Sequence, residues 1–302
     1  MIIRNKANSF RLLFAWKGTI LPQVLPALVI VMLISAMFGL LNSWHFLNIP
    51  TVPSIGFTIF GVILSIFIGF RNSSCYDRWW EGRKLWGALI ATSRHIARDS
   101  HILNPLHRER LLHQTMVFSN VLRDRLRHQT THPHHFLDHG YQDDDIAYFN
   151  QHINTPQHIL EDMQKDLLTS LQSGEISDII YSILSQHIVS LGNIQAGCDR
   201  IASTPLPYAY SVLLHRAVYC FCFILPFSLE NILGIWTPLM VGLIAYMFLG
   251  LDALSGQLEE PFGLQENDLP LDSIVRLIER ELLHSLDKEL PPVIQANGDN
   301  LL

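Results

Sequence analysis

From Gly18 to Phe70 the chain contains no Asp, Glu, Lys or Arg. Soluble domains carry roughly 25% charged residues; here the whole chain reaches only 16%. A bilayer crossing needs roughly 20 apolar residues for about 30 Å of hydrocarbon. The uncharged run has room for two, interrupted by Asn42-Ser43-Trp44 and Pro50 to Pro53. A second lean stretch, Ala217 to Leu251, holds one charge, Glu230, and is punctuated by Pro226 and Pro238. Basic excess is also missing. The net charge of −6 argues against a nucleic-acid partner, which needs a basic face. Cysteine is sparse, and Cys75, Cys198, Cys220 and Cys222 read as ordinary buried thiols rather than disulfides. No nucleophile elbow, P-loop or HExxH pattern occurs, His45 and His215 make no convincing haem pair, and no solenoid or inverted repeat is visible.

Four spans follow, at about Leu21–Leu41, Ser54–Cys75, Tyr208–Phe227 and Pro238–Leu254. Lys and Arg set their orientation. Arg4, Lys6, Arg11 and Lys17 precede the first span, and Arg71, Arg78, Arg83 and Lys84 follow the second. Arg200 and Arg216 flank the third, while the turns at Asn42–Pro53 and Pro226–Trp236 have no basic residue. Both termini and the middle segment are therefore expected in the cytoplasm, and no signal-peptide cleavage site is expected. Residues 1–20 read as a cytoplasmic amphipathic helix leading into the membrane, and 21–75 as spans 1 and 2. Residues 76–206 read as a cytoplasmic helical region, 207–256 as spans 3 and 4, and 257–302 as a cytoplasmic C-terminal segment with a loose tail. Asn104-Pro105 and Thr155-Pro156 mark helix boundaries, and a further helix is expected over Ser273–Leu286.

The second span carries two adjacent stripes. Gly61, Ser65, Gly69 and Ser73 recur every fourth residue, a spacing that lets helices approach closely. One position on, Val62, Ile66 and Phe70 recur with the same period, turned by about 100°. If the small stripe meets a copy of the same helix, the apolar stripe can face a shared axis and gate by dewetting. A lipid-facing stripe is the plain alternative. The chain then reads Arg78-Trp79-Trp80-Glu81, with Arg78 and Glu81 spaced to pair on a helix.

That Arg-Trp-Trp-Glu helix, continuing out of an apolar span, resembles the bestrophin family, in particular its prokaryotic branch. Cys198 to Tyr208, with Thr204-Pro205-Leu206-Pro207, is similar to that family's lead-in to the third span. Gln257-Leu258-Glu259-Glu260-Pro261-Phe262-Gly263 is similar to its post-membrane turn. The resemblance implies an all-α membrane protein, four transmembrane helices per subunit plus a helical cytoplasmic domain, assembled as a homopentamer in a bacterial inner membrane. It implies an ion channel, not an enzyme, whose neck positions fall on Val62, Ile66 and Phe70, with a second constriction at Ile180. Animal bestrophins bind calcium through a dense acidic run after the Pro-Phe-Gly turn. Here Leu264-Gln265-Glu266-Asn267-Asp268-Leu269 offers two separated acids, short of six to eight oxygen ligands, so calcium activation is not expected. Aromatic ring edges favour anions, yet only Phe70 of the neck is aromatic, and the chain is net negative. The expectation is monovalent cation conduction (Na+ or K+), with a chloride channel of the same fold as alternative.

Three further readings stand beside these. His128, His132, His134, His135 and His139 precede Asp143-Asp144-Asp145; no zinc signature fits, and the tract reads as a solvated loop with incidental zinc binding conceivable at His132, His134 and His135. A membrane-anchored metalloenzyme would need that tract. A secondary transporter would use His215, Arg216 or Asp252, although Arg216 and Asp252 read as snorkelling interface residues. Glu230 falls in the outer turn.

Overall fold

The structure is a computed structural model that describes residues 15–16, 18–43, 54–137, 141 and 153–296. Among these, the regular elements are all helices. In chain order they are α1 (Leu21–Ser43), α2 (Ser54–Asp99), α3 (Pro105–Leu126), α4 (His134–Leu137), α5 (Thr155–Gln172), α6 (Asp178–Ser203), α7 (Tyr208–Leu233), α8 (Thr237–Glu259) and α9 (Leu271–Ser285). Three stretches are long and apolar enough to cross a bilayer: Leu21–Asn42, Ile55–Ile102 and Tyr208–Glu259. The last holds two helices, α7 and α8, joined by a 3-10 turn at Gly234–Trp236. The described residues divide into two compact units, one within 15–79 and Pro205–Glu260, the other of Trp80–Thr204 with 261–296.

The apolar unit is held by α1, α7, α8 and the first half of α2. Uncharged sequence forms these helices because a bilayer leaves a backbone no other way to satisfy its own polar groups. Val24, Val31, Leu64, Ile68, Val218, Phe221 and Val241 share one core. Gly242 lets α8 close on α1: a Cβ there would sit 2.7 Å from Met32 Sδ, so this small residue is required by backbone approach. The turn between α7 and α8 is shorter than Pro226–Trp236 suggests. Pro226 lies buried inside α7, and the helix runs on to Leu233, because a proline within a packed apolar bundle is tolerated where neighbours fill around it. Gly234, with φ +51°, makes the reversal. The expected helix over 1–20 falls largely outside the described residues; Gly18, with φ +76°, opens a turn instead of a helix end. Trp44, Pro50 and Pro53 also lie outside.

The polar unit is built around α3. Leu111 to Leu122 are all buried, so polar side chains in this stretch must find partners inside. Thr115 and Ser119 donate to carbonyls one turn back at 2.9 Å. Gln114 donates to Asp166 at 2.7 Å, and Asn120 to Glu279 at 2.8 Å. Asn104 caps α3 by accepting from His107 N at 2.8 Å, and Asn154 caps α5 by accepting from Gln157 N at 3.3 Å; both precede the Pro positions expected as helix starts. On α9 the buried residues Leu271, Ile274, Val275, Ile278 and Leu282 form one helical face.

Candidate functional site

The candidate neck lies on α2. Leu64, Ile68, Arg71 and Cys75 are buried, a stripe that turns toward α7 and α8. Val62 and Ile66 sit two residues before Leu64 and Ile68, which on a helix is about 200° away. The predicted neck stripe is therefore on the side opposite the packed face. Val62, Ile66 and Phe70 stay 55%, 50% and 63% exposed within one chain. Ile55, Ile59, Ile63 and Phe67 widen this uncovered apolar surface. The small stripe flanks it. Gly61 meets Phe221, whose ring would lie 3.3 Å from an added Cβ, whereas a Cβ at Gly69 would meet nothing. Ser65 and Ser73 are exposed, with Ser65 Oγ donating to the Val62 carbonyl at 2.8 Å.

Directly after Phe70 the packed face turns ionic. Arg71 Nη1 donates to Asp252 Oδ1 at 2.5 Å, and both side chains are only 9% exposed. The other Asp252 oxygen lies 2.7 Å from His215 Nδ1. Glu259 Oε2 stands 3.7 Å from Arg71 Nη2, while Glu259 also accepts from Leu206 N at 3.0 Å and, through its carbonyl, from Arg78 Nε at 3.2 Å. Asp252 is thus no snorkelling residue. It is buried because Arg71 pairs with one of its oxygens and His215 hydrogen-bonds the other, and a charge taken from water requires such partners. Arg216 is exposed, as a snorkelling residue should be. Glu230 lies in the last turn of α7, against Gly39 of α1, where a Cβ would come within 3.1 Å of its carboxylate.

The Arg78-Trp79-Trp80-Glu81 residues spread their contacts. Trp79 stacks on Tyr76 at 6.1 Å between ring centres, and Glu81 pairs with Arg200. Gly82 is small for a reason: an added Cβ would press to 3.1 Å from the Phe262 ring, so the Pro261-Phe262-Gly263 turn docks there. Asp268 serves that turn, accepting from Gln265 N at 2.7 Å and lying 2% exposed. Glu266 is exposed.

Comparison with known proteins decides the family. The model of the bacterial/fungal bestrophin family matches residues 1–284. The chain belongs to the bestrophin family. This bestrophin is 38% identical over 300 residues to a voltage-dependent anion channel-forming protein of Mesorhizobium japonicum, covering 98% of this chain and 96% of that protein. It is 35% identical over 300 residues to a protein of the same description from Escherichia coli strain K12, with 97% of each covered. A crystal structure of a bacterial bestrophin homologue from Klebsiella pneumoniae superposes with a TM-score of 0.82 at 31% identity, covering 88% of this chain and 99% of that one. A membrane protein of an ion-channel family, not an enzyme family, is thereby established. The expected cation preference finds no support in the relatives' names, which say anion.

The remaining site residues of this bestrophin fall as follows. Ile180 sits in the first turn of α6, half-buried, its N–H 3.5 Å from the capping Ser177 Oγ. Its neighbour Ile179 is 73% exposed within one chain. His132 and His134 are exposed, with ring centres 5.4 Å apart, and His134 and His135 are 3.9 Å apart. Burial, with the nearby His134, Arg123, His132 and Arg276, lowers His135 to about 4. Among the described residues no three His, Cys, Asp or Glu side chains converge on a metal position; His139 and Asp143 to Asp145 lie outside them. All four cysteines are unbridged, and Cys220 is exposed rather than buried, since it occupies the outer face of α7. Burial, with Asp199 and Glu81 nearby, pushes the Cys198 thiol up to about 12, which makes it a poor nucleophile.

Proposed function

We propose that this bestrophin is a homopentameric channel for small monovalent ions, with α2 of each subunit lining an apolar neck at Val62, Ile66 and Phe70. The observation that carries this reading is the uncovered apolar face of α2, opposite its packed face and flanked by the open Gly69. In a single chain that face has no partner, and around a shared axis it becomes a dewetting constriction. We place four crossings at α1, the first half of α2, α7 and α8, both termini in the cytoplasm, and the protein in a bacterial inner membrane, supported by the distribution of Lys and Arg. A second constriction falls on the first turn of α6, at Ile179 and Ile180. No cofactor is required, and calcium does not activate the channel, because Asp268 is already committed to its own turn.

The relatives' names support anions as the permeating species. The second reading, monovalent cations, is favoured by the aliphatic Val62 and Ile66 and by the net charge of −6. The test is a planar bilayer holding the purified protein under a KCl gradient. A reversal potential near the chloride equilibrium value supports the anion reading, and one near the potassium value the cation reading. Replacing Ile66 by Thr should raise the conductance severalfold; an unchanged conductance would place the neck elsewhere. Saturable flux without current steps would point to a secondary transporter using His215 and Asp252.

A further inference from the structure

We propose that His215, Asp252 and Arg71 form a proton-sensitive latch that positions the cytoplasmic end of the neck, an inference that rests on the channel reading. Three helices meet in this cluster: α2 brings Arg71, α8 brings Asp252 and Glu259, and α7 brings His215. Arg71 follows Phe70 in the chain, so whatever holds the guanidinium fixes the direction of the last neck ring. Two carboxylates compete for it. Asp252 holds it at 2.5 Å, while Glu259 waits at 3.7 Å. Arg71 Nε is buried with no hydrogen-bond partner, so the guanidinium is incompletely satisfied where it stands. A second arrangement is within reach of a small shift.

His215 decides between the two. Its Nδ1 lies 2.7 Å from the free oxygen of Asp252, and its side chain is 57% exposed within one chain, near the cytoplasmic start of α7. Neutral His215 donates one hydrogen bond and leaves the Asp252 charge to Arg71. Protonated His215 becomes a second cation on the same carboxylate, competes for it and repels Arg71, which then turns toward Glu259. Among the described residues the other groups facing His215 are few. Tyr219, on the same helix, lies tilted against it at 4.6 Å between ring centres, and Arg216 beside it is exposed. Helix α1 has no charged or titratable residue. On α2, Cys75 lies behind Arg71 and is buried.

The test uses the full chain in planar bilayers, with both baths stepped from pH 8 to 5.5. Current through the unaltered protein should rise about threefold, the bias that a partly exposed ion pair exerts on a two-state element. His215→Gln and Asp252→Asn should each flatten that response while still passing current. A His215→Gln protein that keeps the full response, or an unaltered protein with none, would overturn the latch. Thermal unfolding in detergent provides a readout independent of conduction. The Tm difference between the unaltered and His215→Gln proteins should change between pH 8 and 5.5. No current from the unaltered protein at any pH would sink the channel reading instead. The latch, as a device of the neck, would fall with it, whereas a conducting protein whose Tm difference and current both ignore pH would overturn the latch alone.

Discussion

Asp252→Asn tests the energetics of the buried pair most directly. The substitution preserves shape and removes one charge. It leaves Arg71, 9% exposed, facing only Glu259 at 3.7 Å. Removing one partner of a buried ion pair costs about 3–5 kcal/mol. Because Glu259 retains part of the attraction, the loss here should fall at about 2–3 kcal/mol. Arg71→Met strands Asp252 less severely, since His215 stays at 2.7 Å, and should cost about 2 kcal/mol. The double variant Arg71→Met with Asp252→Leu fills the same space with apolar atoms. It should lie within about 1 kcal/mol of the unaltered protein, because a satisfied hydrophobic replacement of a buried pair is near neutral. Closed with the single Asp252→Leu, which strands Arg71 at a similar cost of about 2–3 kcal/mol, the cycle predicts strong non-additivity, about 3 kcal/mol of coupling. Unfolding in mixed detergent micelles, followed by tryptophan fluorescence, supplies the four free energies. Additive single losses would show that the two groups act independently and would refute the reasoning.

Gly69→Leu should leave the stability of one chain within about 0.5 kcal/mol, since a Cβ there meets nothing, but should dissociate the oligomer on size-exclusion chromatography; a variant that stays assembled would remove Gly69 from the interface. His135 is held at about 4 against about 6.5 for a free imidazole. The unfolded chain therefore binds more protons between those values, and stability falls as pH drops through that window. His135→Gln should remove about 1 kcal/mol of that acid loss, discounted for partial exposure, and melting curves at pH 7 and 4.5 would reveal it. Gly197→Ala places a methyl 2.8 Å from Leu85 Cδ2 and should cost about 1–3 kcal/mol; a neutral melting temperature would mean that Leu85 repacks freely.

The helices were legible because their causes are local. Charge-free runs mark α1, the first half of α2, α7 and α8, and Asn-Pro or Asn-Thr-Pro marks the starts of α3 and α5. The apolar stripe was legible for the same reason: Val62, Ile66 and Phe70 share one helical period, on a face that the structure leaves uncovered, while its role as a neck came from the resemblance and is the reading proposed above. What periodicity cannot see is a partner far along the chain. Arg71 and Asp252 are separated by 181 residues, so each looked like a residue at a membrane exit, and only the packing of α2 on α8 joined them. Ile180 came from the resemblance alone, and within one chain its neighbour Ile179 is the more exposed of the two. Cys220 looked like core because its neighbours are apolar, but in a helix that meets lipid, apolar and buried are different properties.

The Arg71–Asp252 pair carries a consequence for biosynthesis. The span ending at Arg71 leaves the ribosome long before the helix bearing Asp252 exists. At about 5–20 residues per second, the intervening 181 residues take roughly 10–40 s. Throughout that interval Arg71 has no counter-ion from α8. A charged side chain deep in a helix raises the cost of insertion by about 2.5–3.5 kcal/mol. The nascent α1–α2 hairpin must therefore wait with its guanidinium at the water boundary. It can settle to its final depth only when the α7–α8 hairpin arrives and neutralises it, which makes the second hairpin the event that seats the first.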